Sequence, residues 1–285
     1  MDYRDRVVLV TGASSGIGRQ IALDFATRGA RLVISARRAE LLAAVAAECG
    51  ARGAAVEAMV GDLAERPFVE SMVSRALERF GRVDIVVNNA GISKHKQIYG
   101  VTAEEIDYVL RVNFLAPAYL TVAAIPAMLR QGGGYIVNLS SAAGKLPPPR
   151  EAIYAASKFA LNGLTEGLWL DLEGSNIHCA VINVGPIDTE IWRKTDEPTQ
   201  YRGKKFPPSL VAAAVFRCIE ERRHELWVPR RLFATWLLRV FAPGMFRRGA
   251  MRWDPVPAAV VAAARATATR ARPDAGTPPE TRLRE

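Results

Sequence analysis

Three residues carry the clearest chemistry in this chain. Tyr154 and Lys158 are four apart, so on a helix they project from one face. A phenol ordinarily titrates near about 10 and exchanges protons poorly at neutral pH. A neighbouring ammonium group favours the phenolate and brings it toward the working range. Ser141 stands thirteen residues before Tyr154, just past an apolar run, and would offer a hydroxyl to an oxygen held at the same point. Such a set moves a proton on or off an alcohol or a ketone. A Tyr-x-x-x-Lys spacing by itself also arises by chance, so the surrounding elements decide.

Residues 135–139 (YIVNL) read as a buried strand that ends just before Ser140 and Ser141. A Gly- and Pro-bearing loop, 144–149, leads to the helix that carries Tyr154 and Lys158. Far upstream, the apolar strand 7–10 runs into Thr11-Gly12-Ala13-Ser14-Ser15-Gly16-Ile17-Gly18 and then into a helical pattern of Ile21, Leu23, Phe25 and Ala26. Strand, glycine turn and helix form the context of a dinucleotide site. Glycine lets the backbone approach a pyrophosphate, and the helix N-terminus offers free N–H groups and a positive dipole end.

A second strand, 31–35, ends in Ala36-Arg37-Arg38. An acid near this strand end suits the ribose 2′-OH of NAD, whereas arginine suits the 2′-phosphate of NADP. No acid lies between Arg31 and Ala39. The sequence therefore favours NADP(H) over NAD(H), with Arg37 as phosphate ligand and Ser14 assisting; the plainer alternative is a solvated helix start. Helix 39–49 and strand 55–60 follow. Asp62, at the end of that strand, would accept from the adenine amino group beside the Leu63 backbone, or cap the next helix, 65–80. After strand 84–87, the small residues of Asn88-Asn89-Ala90-Gly91 let a cofactor ribose lie close. Helix 102–130 buries the amide of Asn113 among Val109, Leu110, Val112, Phe114 and Leu115, and that amide needs partners. It would hold a water for Lys158 or bond to backbone.

TGASSGIG (11–18), NNAG (88–91), Asn113, Ser141 and Tyr154-x-x-x-Lys158 occur in this order, and over residues 5–230 the chain resembles the short-chain dehydrogenase/reductase family. The resemblance implies one α/β domain: a Rossmann-like, doubly wound parallel sheet of about seven strands. It implies hydride transfer to or from a nicotinamide. Tyr154 would be the acid/base, Ser141 would bond the substrate oxygen, Lys158 would bond the nicotinamide ribose and lower the Tyr154 pKa, and Asn113 would support a water relay. Cofactor contacts would come from Gly12, Ser14, Ser15, Gly16, Ile17, Gly18, Arg37, Asp62, Leu63, Asn89, Ala90 and Gly91, together with Tyr154 and Lys158. Beyond strand 177–181, the Ile187 backbone and the Thr189 hydroxyl would meet the carboxamide. Members carry Pro-Gly where this chain has Val184-Gly185. The run Ile187-Asp188-Thr189-Glu190 is similar to members acting on steroids, retinoids and other lipids. A homodimer or homotetramer is the family's usual assembly.

Residues 190–210 are polar and proline-bearing and are expected to form a substrate lid. In it, Trp192 packs either on substrate or within the lid. His95 is expected near the site mouth as an exposed, incidental histidine. After helix 208–222 and strand 225–228, the apolar residues Leu232, Phe233, Trp236, Leu237, Val240 and Phe241 recur at helical spacing until Pro243-Gly244. Residues 222–253 hold eight arginines against one acid, Glu225, while residues 1–221 carry a net charge of about +1. An Arg-flanked, Trp-bearing amphipathic helix would lie on a membrane surface as a peripheral contact through 230–253; otherwise it packs on the core, lines the pocket or joins subunits. One basic segment without a binding motif makes nucleic acid a poor partner.

The sequence thus divides into a nucleotide-binding domain over 1–230, an amphipathic basic extension over 231–253, and an Ala/Pro/Arg-rich tail over 254–285, with some helix around 258–266 and disorder beyond 272. Hydrophobic and charged contents of 49% and 24% are ordinary for a globular chain. Cys49, Cys179 and Cys218 have no metal or redox spacing, so no metal is expected and a reducing, cytoplasmic setting fits. No run of eighteen apolar residues would span a membrane. The expected function is an NADP(H)-dependent interconversion of a ketone or aldehyde and an alcohol on a small, apolar substrate. The rivals are a non-catalytic nucleotide binder, which would not need Ser141, Tyr154, Lys158 and Asn113 together, and an enzyme of other chemistry such as epimerisation.

Overall fold

The computed structural model describes residues 1–193, 196, 199, 201–253, 255 and 258–270. Seven strands form one parallel sheet in the order β3-β2-β1-β4-β5-β6-β7. They are β1 (Val7–Thr11), β2 (Arg31–Ala36), β3 (Val56–Val60), β4 (Ile85–Asn88), β5 (Gly134–Leu139), β6 (Ile177–Val184) and β7 (Glu225–Val228). β1 pairs with both β2 and β4, Val8 lying opposite Leu32 on one side and Ile85 on the other. The chain therefore reverses its winding at β1, and the crevice outside the carboxyl ends of β1 and β4 is where an open α/β sheet takes its ligand.

The apolar strand runs exist because both faces of the sheet are covered. Val8 and Val10 of β1 pack with Ile21 and Phe25 of α1 (Gly16–Thr27), with α2 (Ala39–Gly50) and with α7 (Pro208–Glu220). Val7 and Leu9 point the other way, onto α3 (Arg66–Phe80), α5 (Ala116–Arg130) and the apolar stripe of α6 (Ala152–Asp171). Period-two alternation in one strand thus feeds two cores.

The expected helix 102–130 is continuous but not uniform. α4 (Ala103–Leu110) starts on a capping box between Thr102 and Glu105. One π-helical turn, Arg111–Leu115, then precedes α5. Pro117 explains it: proline has no N–H to give the carbonyl four residues back, that of Asn113, and its ring crowds that carbonyl. The 28-residue helix Ala103–Arg130 contains an 18-residue window with a mean hydropathy of 1.6 and is, by length and composition, long and apolar enough to cross a membrane, although no unbroken run of eighteen apolar residues occurs in it. Its burial between sheet and site makes it a core helix.

Other boundaries moved modestly. β6 continues three residues past 181, because β5 and β7 still pair with it there. Pro243 does not merely end a helix. α8 (Leu232–Phe241) stops, and α9 (Pro243–Trp253) begins on that proline, the helix position that tolerates it best. α10 (Ala258–Arg270) is longer than the expected 258–266. The expected disordered tail beyond 272 lies outside the described residues.

Candidate active site

The glycine turn is held tightly. Gly12 takes a φ of +68°, and a Cβ at Gly18 would sit 2.4 Å from both the Gly12 carbonyl oxygen and Asn89 Nδ2. Only glycine allows that approach. Asn89 Nδ2 donates to the Thr11 carbonyl (2.8 Å), and the N–H groups of Asn89 and Ala90 donate to the Thr11 hydroxyl (3.0 Å each). The ends of β1 and β4 are thereby locked together. Ser15 precedes α1 in extended conformation and makes no side-chain cap, leaving the first N–H groups of α1 directed at the crevice, as an anion site requires. The glycine cradle and the open helix N-terminus fit a dinucleotide pyrophosphate.

The two arginines after β2 part company. Arg38 Nη2 donates to the hydroxyls of Ser15 (2.7 Å) and Ser14 (3.2 Å), and its Nη1 meets Glu190 (2.7 Å). Arg37 bonds the Tyr108 hydroxyl and lies 3.8 Å from Asp62. Ser14, expected to assist Arg37 at a phosphate, is bonded to Arg38; Arg38 has extended φ/ψ as the residue before α2, and its side chain lies back over the glycine turn. Both arginines line the crevice, as do Asp62, Leu63, Ala90 and Gly91. Asp62 does not cap α3, whose N-cap is Glu65. Its carboxylate accepts from the Ala64 N–H (2.9 Å) and the Tyr108 hydroxyl (2.8 Å).

Ser141, just beyond β5, accepts from the Ala143 N–H (3.1 Å) and donates to the Val184 carbonyl (3.3 Å). A short 3₁₀ turn, Ala142–Gly144, brings the chain toward α6, where Asn162 Nδ2 donates to the Gly144 carbonyl (3.0 Å). A buried amide ladder sets the register below: Asn88 donates to Asn138 and Asn138 to Thr165, each at 2.8 Å. Tyr154 and Lys158 share the inward face of α6, and with Ser141 they line one cavity.

Electrostatics in that cavity differ from the sequence expectation. Burial pushes the Tyr154 phenol above its ordinary range; the Ser141 hydroxyl pulls it back and the Glu151 carboxylate adds to the rise. The expected lowering by Lys158 does not appear among these influences, and desolvation sets the direction. Burial also pushes the Lys158 ammonium down, to about 8, and its Nζ donates to the Leu139 carbonyl (2.9 Å). Asn113 is fully buried. Its Nδ2 donates to the Ile92 carbonyl (2.9 Å) and the Ser157 hydroxyl (3.0 Å), and its Oδ1 accepts from the Ile92 N–H (2.8 Å). Of the two roles open to it, backbone bonding is the one the geometry displays. A Cβ on Gly91 would lie 3.4 Å from Lys158 Nζ and 3.5 Å from Asn113 Oδ1, so these two groups flank the same small residue.

The nucleotide crevice and the Tyr154 cavity are contiguous, sharing Ile17, Asn89, Gly91, Ser93, Thr189 and Ile191 as walls. Thr189 leans over the glycine turn, 3.0 Å from where a Gly16 Cβ would stand. Ile187 is buried and its carbonyl accepts from Trp192 Nε1 (2.6 Å).

Comparison with known families agrees with this layout: the family model for short chain dehydrogenases matches residues 6–200. The chain belongs to the short-chain dehydrogenase/reductase family. It is an NAD(P)-dependent oxidoreductase of that family. A sepiapterin reductase of Chlorobaculum tepidum is 34% identical over 217 residues, 73% of this chain and 88% of the relative. Dehydrogenase/reductase SDR family member 7B of Bos taurus is 33% identical over 264 residues, 86% of this chain and 80% of its own. Among solved structures, a short-chain dehydrogenase/reductase of Burkholderia phymatum in complex with NAD superposes with a TM-score of 0.79 at 28% identity, covering 90% of this chain and 98% of that one. A metagenomic short-chain oxidoreductase in complex with NADP gives 0.69 at 31% identity, covering 80% and 98%.

Several site residues were not foreseen. Arg38 is one residue from the expected ligand, and only the strand end tells them apart. Tyr108 bonds the crevice residues Arg37 and Asp62 from an element that no family motif marks, and Glu190, the last residue of the run Ile187-Asp188-Thr189-Glu190, lines the crevice itself. Of the places left open for the extension, Leu232, the first residue of α8, takes the pocket and lines the cavity; a Cβ on Gly185 would stand 2.5 Å from its Cδ1, so the glycine kept in Val184-Gly185 admits the extension. Trp192 lines the cavity and stacks on Tyr201 at 5.3 Å between ring centroids, the second of these being the lid packing open to it. His95 is buried, 2% exposed, against the expectation of an exposed histidine: the loop carrying it folds inward, with the Lys96 N–H bonded to the Arg150 carbonyl.

Proposed function

We propose that this enzyme is an NADP(H)-dependent reductase of apolar ketones or aldehydes, working through Tyr154 and Ser141. The observation that carries this reading is the junction of the two cavities: Ser141 and Tyr154 face a mainly apolar chamber that opens directly onto the arginine-rimmed dinucleotide crevice. NADP(H), once bound there, supplies or accepts the hydride. The chain's own residues handle the oxygen. A phenol held protonated by burial is in the correct state to give a proton to a carbonyl oxygen, and the Ser141 hydroxyl donates to the same oxygen. In this reading Lys158 bonds the cofactor ribose, and Asn113 holds residue 92 and a water relay beside it.

Arg38 and Arg37, with the neutral Ala36 ending β2, support the preference for the 2′-phosphate. Leu146, Pro148, Ile191, Trp192, Tyr201 and Leu232 support an apolar, lipid- or steroid-like substrate. Val122, Leu129 and Leu170 stand 67%, 51% and 80% exposed on α5 and α6 and support a homodimer or homotetramer. The three cysteines are free and buried, which suits a reducing, cytoplasmic setting.

The test is NADPH oxidation with a panel of lipophilic ketones. Turnover should fall by about 10²- to 10⁴-fold in Tyr154→Phe, while NADPH affinity is kept. A Tyr154→Phe enzyme with undiminished turnover contradicts the assignment.

A further inference from the structure

Helices α8 and α9 close one side of the substrate cavity and leave their other side bare. Inward, Leu232, Trp236 and Phe246 pack on Ala142, Leu146 and Trp227, and the Arg239 guanidinium sits 5.4 Å over the Phe159 ring. The inward residues follow helical spacing, so the opposite face of α8 should be polar in a soluble helix. It is not: Phe233, Leu237, Leu238, Val240 and Phe241 are 36–81% exposed, and Met245 and Met251 of α9 are 53% and 48% exposed. Seven of the sixteen exposed large apolar side chains among the described residues fall within this one stretch, which makes it a patch rather than scatter.

The charges around the patch are of one sign. Arg230, Arg231, Arg247, Arg248 and Arg252 lie in the same stretch, and no Asp or Glu occurs between Glu225 and Asp254. We infer that α8 and α9 form a membrane-docking platform for anionic phospholipid, with the apolar side chains in the acyl boundary and the arginines on phosphate head groups. A second copy of the chain is the poorer occupant, because a twofold contact through this face would set its arginines against their own images. Nucleic acid would satisfy the arginines and leave Phe241, at 81% exposure, in water.

The platform has a consequence for the site, which rests on reading the cavity as the substrate chamber. Leu232 lines that cavity from the inner side of α8, while Phe233, Leu237 and Phe241 on its other side would sit in lipid. Docking would therefore set the chamber beside the phase in which an apolar ketone dissolves.

The experiment is flotation of the full-length protein with vesicles of pure phosphatidylcholine and with vesicles of equal parts phosphatidylcholine and phosphatidylglycerol. Binding is expected on the anionic vesicles only, reversed by high salt. It should weaken at least about tenfold in Leu238→Ser/Phe241→Ser and in Arg247→Glu/Arg248→Glu. NADPH titration and the melting temperature of each variant show that the fold is intact and read the cofactor site separately. Failure of the enzyme reading would thus leave docking measurable, and the reverse. Absence of binding to the anionic vesicles, or a concentration-dependent dimer that Leu238→Ser/Phe241→Ser dissolves, overturns the inference.

Discussion

Arg38 reaches back across the glycine turn to the Ser15 hydroxyl at 2.7 Å, joining the end of β2 to the residue that opens α1. The same guanidinium meets Glu190 at 2.7 Å, from the turn that follows β6. One side chain therefore ties three crossing points of the chain over the place where an adenosine phosphate would lie. Glu190 competes for that guanidinium.

Glu190→Gln removes the competitor and leaves the shape. Both partners are about two-fifths exposed, so the pair is worth little in stability, on the order of 0.2–1 kcal/mol. The variant should bind NADPH about two- to fivefold more tightly, with NADH affinity unchanged. Isothermal titration with both nucleotides reads this, and an equal gain for NADH would show that Glu190 acts on something other than Arg38.

Asn113 makes three hydrogen bonds from a fully buried position. Asn113→Leu would leave the Ile92 N–H and carbonyl without partners inside the protein, and each buried orphan costs about 1–3 kcal/mol. A loss of about 2–4 kcal/mol in urea unfolding is expected, with turnover of the remaining folded enzyme also reduced. Unchanged stability would mean that the π turn relaxes and lets residue 92 find other partners.

His178 gives the pH dependence a sign. Burial pushes its imidazole down to about 4, with His224 and Arg222 adding to the effect, against about 6.5 in an unfolded chain. Between those values the unfolded chain binds the extra proton, so stability rises with pH through this window. The contribution is intact above pH 6.5 and is lost as pH falls through 4, up to about 3 kcal/mol. Wild type should therefore lose more stability than His178→Asn as pH is lowered from 7 to 4. Parallel pH curves for the two proteins would contradict the assigned cause.

Much of this site is legible in the residues themselves. The glycine turn, Asn89, Ser141, Tyr154 and Lys158 are found where their spacing places them, because strand ends in a parallel sheet all open at one edge and each of these residues follows a strand or faces one. What escapes is set by registers that spacing does not encode. Arg37 and Arg38 are neighbours, and which one turns inward depends on where β2 ends and α2 begins. Tyr108 meets Asp62 across 46 residues of chain. The π turn at Asn113 had its cause in plain view in Pro117, four residues on, but helical periodicity alone averages over it. The direction of the Tyr154 shift depends on how deeply the fold buries the phenol, and a four-residue spacing to lysine says nothing of that depth.

The central claim is that this crevice holds NADP(H) through the residues at the end of β2. Titration of intrinsic tryptophan fluorescence with NADPH and NADH, on wild type, Arg38→Ala and Arg37→Ala, tests it most directly. Charge-assisted bonds to a phosphate are each worth about 1.5–3 kcal/mol. The wild type should bind NADPH at least about tenfold more tightly than NADH, and Arg38→Ala should remove most of that preference while Arg37→Ala removes less. Equal or tighter binding of NADH by the wild type, or a preference that survives in Arg38→Ala, would contradict the account.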